Sequence, residues 1–321
     1  MIARILSGLF LITIFSSCSV MKTIALRPTG KIIYDASFDQ QVENDWELFE
    51  QSLGSNIKLM EALLSQDEWN KDLLVSLLKG YVAKGFAIHE TYYLKDKLND
   101  EDDSIHRKRA LASYTRGLQV GVKFLMSEGL PENVLTQNLN TPDKLYEIID
   151  SEFSNNKRDI EGILYTAQTL AALVNLQREN MKVISYLPVA KRLFDWACSK
   201  DPNIALGACD IFYASYDSGR PKMLGGDPER GRQKFLAGIK KWPENYLMRE
   251  AYVEFYALPM IDQDIFARQK LFFSKKGTEF ENSRYWKGQP IRINKKSYTN
   301  VFNMIAIKRM QIIEKFEEDI F

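Results

Sequence analysis

The segment PERGRQKFLAGIKKWP (residues 228–243) decides the fold class of this chain. Its regularly placed residues are Gly231, Phe235, Gly238 and Pro243. The segment LPVAKRLFDWACSKDP (residues 187–202) has the same spacing. Its corresponding residues are Ala190, Phe194, Ala197 and Pro202. Both segments therefore read small residue, aromatic residue, small residue and proline at the same intervals.

This spacing has a simple physical basis. Small residues three or four positions apart lie on one face of a helix and let a partner helix approach closely. The aromatic ring fills the groove between them, and the proline ends the helix. The pattern is the second-helix half of a tetratricopeptide (TPR) repeat. A weaker copy has Ala110, Tyr114 and Gly117, and the copies lie farther apart than the roughly 34 residues of a regular TPR unit.

Helical apolar spacing extends over the rest of the chain. It recurs, for example, in Leu73–Leu94, Ile204–Tyr216, Tyr246–Leu258 and Val301–Ile320, and no stretch alternates convincingly like a strand. We therefore predict an all-α fold in which irregular TPR-like helical hairpins form one superhelical or bundle-like domain over residues 38–321.

The first residues, MIARILSGLFLITIFSSC, predict an export signal. Arg4 precedes an apolar run at residues 5–15, which is too short to span a bilayer comfortably. Ser16 and Ser17 then precede Cys18, in an order that resembles a bacterial lipobox. An ordinary signal followed by an incidental cysteine is the alternative.

On the lipobox interpretation, we expect a signal peptide at residues 1–17, a lipid on Cys18 and an N-terminal linker at residues 18–37. Ser19 stands where an aspartate would favour retention in the inner membrane, so we expect a periplasm-facing anchor in the outer membrane.

The composition argues against several classes of function. With 43 Lys+Arg and 42 Asp+Glu, the chain lacks the basic excess of a nucleic-acid-binding protein. Cys198 and Cys209 lack the spacing of a zinc or redox motif. A disulfide between them is an alternative in an oxidising compartment, but we expect both thiols to be buried and unpaired.

Two further motifs are better explained by structure than by chemistry. The stretch GGDP at residues 225–228 lacks the lysine and hydroxyl of a phosphate-binding loop, and its Asp227 and Pro228 are typical of a helix start. His89 and Glu90 lack the second histidine of a zinc protease motif, so we interpret His89 as partly exposed on a helix. We predict no enzyme activity, no metal site and no cofactor.

Seven segments, in order along the chain, resemble the TatT family, the T component associated with tripartite ATP-independent periplasmic (TRAP) transporters. These segments are ENDWELFEQSLGSNIKLMEALLSQ (43–66), NKDLLVSLLKGYVAKGFAI (70–88), RKRALASYTRGLQVGVKFL (107–125), DIEGILYTAQTLAALVNL (159–176), MLGGDPERGRQKF (223–235), DQDIFARQKLFFSKK (262–276) and NMIAIKRMQIIEKFEEDIF (303–321). The connection at residues 274–300 departs from the family because it is longer.

The resemblance implies an all-helical lipoprotein with an apolar channel or groove that takes a small organic ligand. It also implies docking to a TRAP substrate-binding (P) component and a possible homo-oligomeric ring. The alternative is a general TPR scaffold lipoprotein for envelope protein assembly, which binds proteins and no small ligand.

Aromatic residues on the first helices of the hairpins are the candidate ligand-binding residues, because ligand sites are mostly apolar with a few polar groups. They are Tyr81, Tyr165, Tyr213 and Tyr216. Ordinary core packing is the alternative for residues at helical spacing.

The long connection at residues 274–300 is the candidate partner-binding segment. It is basic and contains two large aromatic residues, and arginine, tyrosine and tryptophan are enriched at protein interfaces. The candidate contact residues are Arg284, Tyr285, Trp286 and Lys287. A solvated loop that covers the last helices is the alternative.

Overall fold

The protein is all-α, as predicted. A computed structural model describes residues 27–220, 222–282 and 298–321, and these ranges contain no β-strand. The helices are α1 (27–36), α2 (Trp46–Leu64), α3 (Lys71–Ala83, Lys84–Glu90 and Thr91–Leu98), α4 (Ile105–Ser127), α5 (Glu132–Gln137), α6 (Pro142–Glu152), α7 (Lys157–Leu176), α8 (Met181–Ile184), α9 (Leu187–Lys200), α10 (Ala208–Ser218), α11 (Pro228–Lys241), α12 (Leu247–Tyr252, Val253–Ala257 and Leu258–Met260), α13 (Gln263–Asn282), α14 (Asn300–Ile313) and α15 (Glu317–Ile320).

Among the described helices, three hairpins form the body of the fold. They pair α3 with α4, α7 with α9, and α10 with α11, and α4 also packs on α7. The small–aromatic–small residues of all three sequence copies are buried, including Tyr114, Phe194 and Phe235. The helix contacts inferred from the repeat spacing are therefore present.

Gly238 on α11 lies at such a contact. A Cβ atom built on it would lie 2.7 Å from the sulfur of Met248 on α12. We expect Gly238→Leu to lower the free energy of unfolding by about 1–3 kcal/mol because the added side chain overfills this contact. Gly54→Leu on α2 is the control, since no atom lies within 4 Å of its added Cβ. Equal urea midpoints for the two variants would contradict the prediction.

The helix starts follow the capping chemistry of the sequence. Asp227 accepts a hydrogen bond from the backbone N–H of Arg230 at 3.0 Å, and Pro228 is the first residue of α11. The predicted helix at Ile204–Tyr216 begins later, at Ala208. Ala205 and Leu206 have positive φ angles of 48° and 52°, which an α-helix does not accommodate. Helices α5 and α6 were not predicted.

Cys198 and Cys209 form a disulfide with a Cα–Cα distance of 5.9 Å. Our expectation of two unpaired thiols is therefore wrong. The bond joins the end of α9 to the start of α10, so it links the second hairpin to the third. The left-handed residues Ala205 and Leu206 lie within the loop that it closes and bring the two cysteines together.

Residues 27–36, assigned from the sequence to a linker, form a helix that packs on the hairpins. Tyr34 is buried, and its hydroxyl donates to Glu161 on α7 at 3.0 Å. Lys79 on α3 pairs with the same carboxylate at 3.1 Å. The first described helix is thus attached to both the first and the second hairpin.

Helix α14 returns to the start of the fold. It packs on the Leu247–Tyr252 part of α12 and on the Thr91–Leu98 part of α3. Asn303 fixes its position by accepting a hydrogen bond from the backbone N–H of Tyr246 at 2.9 Å. None of the helices in the described ranges is both long enough and apolar enough to cross a membrane.

Candidate ligand-binding cavity

Two of the helices that the structure describes contain π-helical segments that the apolar periodicity did not reveal. In α3 the segment is Lys84–Glu90, and in α12 it is Val253–Ala257. A π turn widens the helix and often marks a functional site. Each segment contains a glutamate that faces α14, Glu90 in α3 and Glu254 in α12.

Arg309 of α14 lies between these glutamates. It is 1% exposed, and its Nε donates to Glu250 at 3.0 Å while its Nη2 donates to Glu254. Its guanidinium carbon lies 4.9 Å from the centre of the Phe86 ring. Burial opposes the charge of Arg309, but the surrounding carboxylates outweigh burial and raise its pKa. Arg309 is therefore a permanent buried cation.

The Nη1 atom of Arg309 is buried and has no hydrogen-bond partner among the described residues. Most buried polar atoms in proteins are paired, and an unpaired donor is unfavourable. The guanidinium group thus has an unused donor in the interior of the protein.

The carboxyl groups around Arg309 differ in their affinity for protons. Burial raises the pKa of Glu90 to about 7 although Arg309 opposes the shift, and Glu90 accepts a hydrogen bond from the hydroxyl of Tyr114. Burial also raises the pKa of Glu250 to about 8. For Glu254, burial opposes ionisation, but the charges of Arg309 and Lys97 outweigh it and lower the pKa. Near neutral pH the cluster therefore contains protonated carboxyl groups together with an ionised carboxylate.

A cavity of about 170 Å³ adjoins this cluster. Its walls come from α3, α4, α7, α12 and α14. Most of the residues that line it have charged side chains. The lining residues are Glu90, Tyr93, Leu94, Lys97, Arg107, Asn175, Leu176, Arg178, Glu179, Glu254 and Arg309.

Ion pairs and hydrogen bonds hold the outer wall of the cavity. Arg107 donates through Nε to the carbonyl oxygen of Leu176 at 3.1 Å and pairs with the carboxylate of Glu179. Arg178 donates to the side-chain oxygen of Asn175 at 3.1 Å. The end of α7 is thereby attached to the start of α4, which gives the cavity a defined wall.

The four predicted tyrosines do not line this cavity. The hydroxyl of Tyr81 donates a hydrogen bond to Glu61. The ring of Tyr165 is half-buried, and its centre lies 5.8 Å from the Nζ of Lys79. These two tyrosines therefore have separate partners.

Tyr213 and Tyr216 lie together on α10. Lys191 is 5.9 Å from the first ring and 6.0 Å from the second, and Arg220 stacks on Tyr216 at 3.6 Å. The hydroxyl of Tyr213 donates to Asp195 at 2.9 Å. Both rings are half-buried and surrounded by charged side chains.

Other predicted sites lie outside the described residues. Cys18 precedes residue 27, and the candidate partner-binding residues Arg284, Tyr285, Trp286 and Lys287 fall within residues 283–297.

The interpretation of His89 as partly exposed is wrong. His89 is 8% exposed, its Nδ1 has no hydrogen-bond partner in the described part of the chain, and burial lowers its pKa to about 4. The described residues contain no group of three or more histidine, cysteine, aspartate or glutamate side chains that could hold a metal ion.

Sequence reasoning missed Glu90, Glu250, Glu254 and Arg309. A signal was present, because these charged residues stand inside apolar runs such as MIAIKRMQII and EAYVEFYAL. A charged residue on the apolar face of a helix is rarely buried unless it is paired. Helical spacing alone could not indicate which residues pair with each other.

Comparison with known families gives the context for this cavity. The model of the TRAP transporter T-component family matches residues 42–270, from the start of α2 into α13. The chain belongs to the TRAP transporter T-component family. The resemblance stated from the sequence is therefore confirmed. A search of curated proteins finds no match. The T-component assignment covers all three hairpins and most of the residues that line the cavity.

Proposed function

We propose that this T component is a periplasm-facing lipoprotein that binds a small organic ligand and docks a TRAP substrate-binding (P) component. The observation that carries the proposal is the family match across the whole hairpin array. The disulfide between Cys198 and Cys209 agrees with an oxidising compartment such as the periplasm.

The cavity beside Arg309 is the proposed place for the ligand. Its charged lining differs from the apolar passage implied by the family resemblance, so the bound molecule should carry a polar group. Tyr213 and Tyr216 remain candidate contacts for a ligand or partner, because both rings are half-buried. Tyr81 and Tyr165 also remain predictions.

The basic segment at residues 274–300, whose first residues up to Asn282 belong to α13 and not to a connection as predicted, is the proposed docking surface for the P component. Arg284→Glu together with Lys287→Glu should slow association more than it speeds dissociation, because charge complementarity acts mainly on the encounter of two proteins. The measurement is surface plasmon resonance with the P component at two salt concentrations, since salt screens exposed charges over about 10 Å at 0.1 M.

The matched control is the double reversal Lys240→Glu and Lys241→Glu at the end of α11, which changes the net charge equally. Association that slows equally in both double variants would indicate a general charge effect. Unchanged association in the Arg284 and Lys287 variant would remove this segment from docking.

The lipid anchor is tested at Cys18. Cys18→Ser should move the protein from the membrane fraction to the soluble periplasmic fraction, because each buried lipid CH₂ contributes about 0.8 kcal/mol to membrane binding. Ser19→Ala keeps the cysteine and should leave the protein in the membrane fraction. A Cys18→Ser protein that sediments with membranes would contradict lipidation, and density-gradient separation of the two membranes tests the outer-membrane assignment.

The alternative function is that of a general TPR scaffold for envelope protein assembly with no small ligand. The polar lining of the cavity favours this alternative over an apolar ligand passage. Calorimetric titration of the purified chain with periplasmic small-molecule extract separates the two functions. Saturable heat supports a ligand-binding component, whereas its absence together with captured envelope proteins supports the scaffold.

A further inference from the structure

Helix α1 begins at the end of the molecule where α3 begins. A Cβ atom built on Gly30 of α1 would lie 2.4 Å from the side-chain oxygen of Asn70, the residue that caps the start of α3. Just after α1, the hydroxyl oxygen of Ser37 accepts a hydrogen bond from Lys79 Nζ at 3.0 Å. Helices α1 and α3 therefore run in the same direction, and the N-terminal end of α1 lies beside the start of α3.

Two further helix ends meet at this place. Lys71, the first residue of α3, pairs with Glu128 just after the end of α4, at 2.6 Å. Arg158 near the start of α7 pairs with the same carboxylate at 3.1 Å. The start of α1, the turn at residues 65–70, the end of α4 and the start of α7 thus form one end of the molecule, which we call the tether end.

The chain length before α1 limits how far the tether end can lie from a lipid on Cys18. Arg27, the first residue of α1, follows Cys18 by nine positions. In any conformation, nine residues extend over at most roughly 30 Å. Helix α3 runs from Lys71 to Leu98 and is about 40 Å long. If the opposite end of α3 lay on the membrane, Arg27 would therefore be farther from the bilayer than these residues can reach.

The tether end carries an exposed tryptophan. Trp69 precedes Asn70 in the turn at residues 65–70 and is 53% exposed. The Nζ of Lys123 lies 5.0 Å from the centre of its ring and 3.0 Å from a carboxylate oxygen of Glu68. Because Lys123 and Glu68 neutralise each other, the ring and not a net charge is what this turn offers to a partner.

We propose that the tether end lies on the membrane surface and that the indole ring of Trp69 enters the lipid headgroup region. Tryptophan is enriched at bilayer interfaces because its ring is apolar whereas its N–H group can bond to water and headgroups. This inference rests on the proposed lipid anchor. It adds the surface of the protein that contacts the lipid and the orientation of the hairpins above it.

The orientation also places the cavity away from the lipid. Glu90, Leu94 and Lys97 line the cavity from the second half of α3. The first of them lies about 30 Å along the helix from Lys71. A ligand in this cavity therefore exchanges with the aqueous periplasm and not with the bilayer.

The test uses the lipidated full-length chain, reconstituted into phosphatidylcholine vesicles whose acyl chains are brominated. Bromine quenches the fluorescence of a tryptophan that enters the bilayer. The wild-type chain should emit less light in these vesicles than in vesicles without bromine. Trp69→Phe should lose most of this bromine-dependent quenching, and it should unfold at the wild-type temperature because the exposed position keeps an aromatic ring.

A matched control lies at the opposite end of α3. Ile105 is the first residue of α4 and is 51% exposed, close to the value for Trp69. The preceding residue, Ser104, donates a hydrogen bond to Asp96 near the end of α3, which places Ile105 opposite the tether end. Ile105→Trp in the Trp69→Phe chain puts an exposed indole there and should not restore the quenching.

Two results would overturn the orientation, namely quenching of Trp69→Phe equal to that of the wild type and quenching restored by Ile105→Trp. Flotation of the same samples in a density gradient tests the anchor separately. A wild-type chain that does not float with the vesicles contradicts the lipid anchor, and the inference fails with it. A chain that floats but gives either contrary quenching result contradicts the orientation alone.

Discussion

Arg309→Met is expected to lower the free energy of unfolding by about 3–5 kcal/mol. The substitution keeps much of the side-chain volume but leaves Glu250 and Glu254 in the interior without their cation. An unpaired buried charge is far more unfavourable than a lost surface pair, because the interior screens it weakly. The measurement is urea unfolding near neutral pH, followed by circular dichroism.

Arg230→Met is the matched control. Arg230 also forms two hydrogen bonds to a carboxylate, that of Asp217, but its own side chain is 51% exposed. Water solvates both charges of an exposed pair when the pair is broken. The control should therefore lose much less stability than Arg309→Met. If the two variants unfold at the same urea concentration, the buried cluster has no special role in stability.

The second large effect is expected from the disulfide. Replacing Cys198 and Cys209 together with alanine should lower the free energy of unfolding by about 3 kcal/mol, because the unfolded chain regains the freedom of a short loop. The loop contains the left-handed residues Ala205 and Leu206, whose conformation is unfavourable without a constraint. The measurement compares urea midpoints of wild type and variant with and without a thiol reductant.

Reduction should lower the midpoint of the wild type and leave that of the double alanine variant unchanged. A wild-type midpoint that does not respond to complete reduction, verified by counting free thiols, would contradict this contribution to stability.

The hairpins were predictable because their determinants are local. A small–aromatic–small spacing lies within one helix, its proline follows two residues after the helix ends, and the capping chemistry of Asp227 lies within one turn. The cavity was not predictable in this way. Arg309 meets Glu250 and Glu90 only because α14 returns to α12 and α3, and periodicity says nothing about which distant helices meet.

The tyrosine prediction illustrates the same limit. The four tyrosines were proposed as ligand contacts, which stays a prediction. In the structure Tyr213 and Tyr216 lie together, whereas Tyr81 and Tyr165 have separate partners. The sequence also did not decide whether Cys198 and Cys209 form a disulfide, since its formation depends on the conformation of residues 204–207. Both outcomes depend on geometry between helices or in loops.

The π-helical segments make the length of α3 and α12 a structural requirement. One inserted residue rotates all later side chains of the helix by about 100° around its axis. A π turn therefore changes which face of the helix the later residues occupy. Deleting one residue within Lys84–Glu90 would restore an ordinary helix and rotate Leu94 and Lys97 away from the cavity. The number of residues in these two helices should therefore be as constrained as the buried side chains that they carry.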